Sequence, residues 1–142
     1  MEEMEAFVKE MVAVDPEKAY YYYVLGFVAQ QNKEYDKAIE QYKIAVEKDN
    51  TLSDAYNNLG LCIMFKAQAF MESKDKLDYR SSEYKKAKAE EKEIYKEALP
   101  YAEKLRELEP ENVSKWGALL YQIYYKMEMT KEMKEIEKLI GE

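Results

Sequence analysis

One thiol, Cys62, and no histidine are available for chemistry, so the commonest general base and metal ligand near neutral pH is missing. Cys62 falls among apolar residues of a helix-period stretch, with no imidazole to activate it, which fits a core filler and not a nucleophile. Carboxylate neighbours such as Glu90, Glu91 and Glu93 read as a solvated helical face and not as a cation site. No glycine-rich phosphate loop is present. Catalysis, metals and cofactors are therefore not expected. What the chain does carry in excess is tyrosine, 14 in 142 residues. A phenol gives a wide, stiff contact area with one polar tip, so the chemistry on offer is contact with another polypeptide.

The net charge of −7 and the lack of any block of Lys and Arg disfavour nucleic acid and an anionic membrane surface, both of which need clustered cations. No apolar run reaches the roughly 18 to 20 residues that span a bilayer. Met1 to Glu10 is acidic and amphipathic, unlike a signal peptide. A single Cys allows no internal disulfide, which fits a reducing compartment without requiring one, and the compartment stays unassigned. Only 4 Gly and 3 Pro interrupt the chain and 36% of it is charged, which points to long solvated helices.

The elements that would position the tyrosines show in an internal repeat. Tyr22, Leu25 and Gly26 recur 34 residues later as Tyr56, Leu59 and Gly60, and 60 residues after that as Trp116, Leu119 and Leu120. Tyr35 and Ala38 reappear 60 residues on as Tyr95 and Ala98, and Pro16 lies 94 residues before Pro110. A 34-residue period with one extra segment of 26 accounts for every offset. Each unit reads as two helices. Tyr22, Leu25, Gly26 and Ala29 share one face of the first, Ala19 to Gln31, and a polar turn follows at Asn32 to Glu34. Tyr35, Ala38, Tyr42 and Ala45 share a face of the second, to about Lys48. Gly26, Gly60, Ala38 and Ala98 are small enough to let two backbones approach, and Pro16 and Pro110 end second helices.

An aromatic-x-x-Leu-Gly start, a later Ala, an aromatic or apolar residue four further on and a closing Pro resemble the tetratricopeptide repeat. The resemblance implies an all-α, right-handed solenoid of antiparallel helix pairs, about three and a half units and seven helices, in one domain over residues 1–142. Its parts are a half-repeat (1–18), a repeat (19–52), a repeat carrying the insert at about 68–93 (53–112) and a last repeat (113–142). Departures from the family pattern are Asn50 for the closing Pro, Lys33 for the turn Gly, Leu120 for the Gly and Glu132 for the small Ala.

Met4, Val8, Met11 and Pro16 align with the second helix of a unit whose first is missing, and no polar helix follows Ile140. The start is either a natural cap or a cut from a longer protein, and the two bare ends favour a fragment or burial in an oligomer. The insert is helix-prone, without Gly or Pro. It is expected to lengthen both helices of the second repeat by about 13 residues, with a turn near Ser73 to Ser82, as a projecting hairpin about 20 Å long. A charged, mobile loop is the alternative. Pro100 should kink the lengthened second helix near Leu99.

Proteins of this family bind partners along the wall made by their first helices. The resemblance places Tyr20, Tyr23, Phe27, Gln30 and Gln31 on that wall, then Asp54, Asn57, Leu61, Met64 and Phe65, then Ser114, Gly117, Tyr121, Tyr124 and Tyr125. Members that clamp a C-terminal carboxylate use Lys, Arg and Asn. Here only Asn58 matches, while Tyr23, Val24, Ser114 and Ala118 occupy the other clamp positions without a cation. The expected function is an adaptor or scaffold that holds a peptide or helical segment of a partner protein in an aromatic groove formed by these residues. The alternative is a structural or self-associating piece of a longer solenoid with no peptide ligand of its own, in which the strip is covered by the chain itself, by neighbouring repeats of the longer protein or by a second copy.

Overall fold

The computed structural model describes residues 2–141 and folds them into seven α-helices with no strand. Met1 and Glu142, the outer bounds of the first and last expected units, lie outside the described residues. In chain order the helices are α1 (Glu2–Val14), α2 (Ala19–Gln31), α3 (Tyr35–Lys48), α4 (Ser53–Glu72), α5 (Ser82–Leu108), α6 (Val113–Lys126) and α7 (Thr130–Gly141). Sequence neighbours pack on one another throughout, so α2 with α3, α4 with α5 and α6 with α7 form three hairpins. Successive hairpins meet through α3 against α4 and α5 against α6, and the first helices touch as α2–α4 and α4–α6. Among the described residues α1 packs on α2 alone. The architecture is that of a helical repeat.

Small residues set the spacing within and between hairpins. A methyl at Gly26 would sit 2.7 Å from two ring carbons of Tyr42, and one at Gly60 would sit 2.9 Å from Cδ2 of Leu119. Ala38 and Ala98 are fully buried where α3 and α5 pass their partners. The core runs continuously from Ala29 to Ile136.

α2 and α6 end in the same way. The Lys33 N–H donates to the Gln30 carbonyl and the Glu34 N–H to the Ala29 carbonyl; Glu128 and Met129 repeat the pattern on Tyr125 and Tyr124. This double bond pattern requires a left-handed residue after the helix, and Lys33 and Glu128 both adopt φ 59°. A β-carbon there costs about 1–2 kcal/mol, of which glycine's greater unfolded-state entropy returns part. Lys33→Gly and Glu128→Gly should each stabilise by about 0.5–1 kcal/mol, raising the melting temperature of the double variant by about 3–5 °C. A lower melting temperature in calorimetry would contradict the turn geometry.

The joint between the second and third hairpins is fixed by α6. The Trp116 indole N–H donates to the Glu109 carbonyl at 2.8 Å, and the Arg106 guanidinium lies 4.7 Å from the ring centre. Lys115 Nζ reaches Asp54 and Glu109 carboxylates, each at 2.6 Å. The Lys115 ammonium, bonded to Glu109, is the chief reason that its carboxyl drops to about 2.

The insert differs from expectation in its distribution. α4 has 20 residues against 13 in α2, while α5 has 27 against 14 in α3. The first helix is thus lengthened by seven and the second by thirteen, and the rest goes into the longer turn 73–81. Ser73 stops α4 by bonding back to the Phe70 carbonyl, and Ser81 caps α5 by accepting from the Tyr84 N–H at 3.1 Å. α5 continues as one helix through Pro100, whose ring is exposed.

Candidate partner-binding face

The residues assigned to the groove separate into two groups. Tyr20, Phe27 and Tyr125 are exposed, Tyr20 at 57% and Phe27 at 41%, and Asn57, Leu61, Met64 and Tyr121 are half-exposed. Leu61 and Met64 of α4 face Ala118, Leu119 and Gln122 of α6 across a cleft of about 370 Å³ that Gln68 also lines. Tyr121 opens onto a second cleft of about 460 Å³ with Ile140 and Glu137 of α7, and Ala118 and Gln122 border both.

Gln31, Asp54 and Ser114 are exposed as well, Gly117 is buried, and the remaining assigned residues turn inward. Gln30 accepts a hydrogen bond from the buried Tyr42 hydroxyl at 2.6 Å. Asn58 donates to the Tyr23 hydroxyl at 3.3 Å and lies 3.4 Å from that of Tyr42. Tyr23 is half-buried, its ring 5.7 Å from Tyr42 and 5.9 Å from Tyr20. Burial, and then the Asp54 charge, raise the pKa of the Tyr23 hydroxyl, and burial raises that of Tyr42. Gln30, Asn58 and Tyr23 therefore form a polar knot joining α2, α3 and α4, and Asn58 has little left to offer a carboxylate. Phe65 packs its ring 5.5 Å from Tyr35. Tyr124 is 5% exposed and its hydroxyl donates to Glu103 at 3.2 Å; burial, then the Glu103 charge, push its pKa up to about 12. Gln30, Phe65 and Tyr124 each meet a residue of a neighbouring second helix instead of the cleft, namely Tyr42, Tyr35 and Glu103.

Two buried groups escaped the sequence. Glu91, read there as solvated, is 5% exposed and lies on the core face of α5, paired with Lys88 at 2.6 Å and Lys126 at 3.5 Å. A buried carboxylate needs such partners, and Lys88 three residues before it was the available signal. The Tyr95 hydroxyl is buried and makes no well-formed hydrogen bond among the described residues. Its pKa is raised chiefly by burial, which outweighs the amides of Gln122 and Gln68 that act on it. Those amides also line the α4–α6 cleft, whose other lining residues, Leu61, Met64, Ala118 and Leu119, are apolar.

Cys62 is fully buried and burial pushes its thiol up to about 12, which leaves no thiolate for chemistry near neutral pH. Among the described residues no group of three or more His, Cys, Asp and Glu is placed to hold a metal ion, and no helix is long and apolar enough to cross a membrane. Comparison of the sequence with protein-family models and with curated proteins returns no match.

Proposed function

We propose that the chain is a tetratricopeptide-type solenoid that holds an extended segment of a partner polypeptide across α2, α4 and α6. The carrying observation is the α4–α6 cleft, where Leu61, Met64 and Leu119 offer an apolar floor and Gln68 and Gln122 offer amides at its edge. An apolar side chain of the partner would seat on the floor while the amides bond its backbone. Tyr20 and Phe27 extend the surface along α2. Large apolar groups exposed together mark binding faces more often than isolated ones do. The equal ends of α2 and α6, the close approaches at Gly26 and Gly60 and the shared register of three hairpins support the family assignment, and right-handed stacking is what that assignment implies. The role is that of an adaptor, without catalysis.

Peptides selected from a random library against the intact protein should be rich in apolar and aromatic residues. Leu61→Lys, at a half-exposed position of that apolar floor, should weaken their binding by about tenfold or more at unchanged melting temperature. Equal binding to this variant, or selection of peptides with no apolar anchor, would remove the cleft as the site. A second reading, a self-associating or internal piece of a longer solenoid, draws on the exposed Leu139 and Ile140 of α7.

A further inference from the structure

The sequence carries no block of basic residues, yet the helix sorts its charges. On α5, Lys85, Lys88, Lys92 and Lys96 recur at steps of 3, 4 and 4, which places them on one flank, and all four are exposed. Glu83, Glu90 and Glu97 recur every seven residues on the other flank, which Lys86 shares and where Glu97 pairs with Lys43 of α3 at 2.8 Å. The basic flank faces α6 and adds Lys126. Five ammonium groups stand there against two carboxylates, the buried Glu91 and Glu128, and Lys85 and Lys96 make no ion pair among the described residues. Between this flank and the end of α6 lies a cleft of about 460 Å³ beside the exposed ring of Tyr125.

The complementary surface is on the same chain. α1 has four glutamates and one lysine. Its outward stripe is Glu3, Phe7, Glu10 and Val14, at steps of 4, 3 and 4, with Phe7 60% and Val14 87% exposed. Glu3 and Glu10 are seven residues apart, as are Lys85 and Lys92, so each pair spans about 10.5 Å of helix. Phe7 lies between the glutamates, as Lys88 and the cleft lie between the lysines. Among the described residues α1 packs on α2 alone, so its outward stripe meets no other described helix.

We propose that α1 of one copy lies along the lysine flank of α5 in a second copy, with Glu3 and Glu10 over Lys85 and Lys92 and Phe7 in the cleft beside Tyr125. The two surfaces differ, so the contact is head-to-tail, and it uses none of the residues of the α4–α6 cleft. It holds whether or not that cleft binds peptide.

Light scattering across a hundredfold range of concentration tests it. At low ionic strength the mass should rise to at least twice that of the monomer, and raised salt should reverse the rise because the paired charges are screened. A variant combining Glu3→Gln, Phe7→Ser and Glu10→Gln, and another combining Lys85→Gln and Lys92→Gln, should each associate at least about tenfold more weakly. Mixed in equal amounts, they retain one intact contact per pair and should form a dimer that grows no further. That complementation cannot come from misfolding. A wild-type mass constant over the range, association persisting in either variant alone, or a mixture that stays monomeric would each overturn the proposal. Binding of unrelated acidic partners by a chain that remains monomeric would also count against it.

Discussion

Trp116→Ala should destabilise the protein by about 4 kcal/mol and lower its melting temperature by roughly 10 °C. The indole is 1% exposed and sits where α6 docks on α5. Removing it leaves a cavity in a joint that has little freedom to close, since Lys115 beside it is held by both Asp54 and Glu109. It also strands the Glu109 carbonyl, which the indole N–H satisfies at the end of α5, and frees the Arg106 guanidinium that stacks on the ring. Trp116→Phe keeps most of the apolar area and loses only the hydrogen bond and part of the stack, so a cost of about 1–2 kcal/mol is expected. Circular dichroism on both variants makes the comparison. Because each hairpin contacts only its neighbours, the alanine variant should lose α6 and α7 before the rest, broadening the transition. Equal costs for Ala and Phe would mean that the ring is not packed as described.

The hairpins were legible because their signals are local. Apolar residues at helical spacing, a polar turn at Asn32 to Glu34 and Pro110 after α5 each act within a few residues, and α2 and α3 lie where those signals put them. The insert was less legible. Its Lys, Glu and Ala favour helix everywhere, so nothing in composition says where one helix stops, and the division came from Ser73 and Ser81 bonding to nearby backbone. Groove membership was hardest. A repeat register fixes the direction of a β-carbon but not how far a long side chain bends, and Tyr124, Gln30 and Phe65 each found a partner on a second helix: Glu103, Tyr42 and Tyr35. Glu91 shows the same limit with charge. Its distant partner, Lys126, is 35 residues away in sequence and adjacent only once α6 has docked.

Gly26→Ala should destabilise by about 2 kcal/mol, although alanine gains about 1 kcal/mol over glycine inside a helix. The sign is decided by what the new methyl meets. It would stand 2.7, 2.7 and 3.0 Å from three carbons of the Tyr42 ring. That ring is fully buried, packed on Tyr23, and tied through its hydroxyl to Gln30, so it cannot move aside without breaking the knot between α2, α3 and α4. Gly60→Ala is the control. Its methyl meets one atom of Leu119 at 2.9 Å, the end of a flexible side chain, with the next atoms at 3.7 Å, so rotation relieves the clash. The helix gain then nearly cancels the strain, and stability should stay within about 1 kcal/mol of wild type. In a Tyr42→Leu background, the methyl at position 26 has no ring to strike, and Gly26→Ala should become neutral or stabilising, a coupling that a double-mutant cycle reads directly. A stabilising Gly26→Ala in the wild-type background would mean that α2 and α3 stand further apart than the packing of Tyr42 on Gly26 requires.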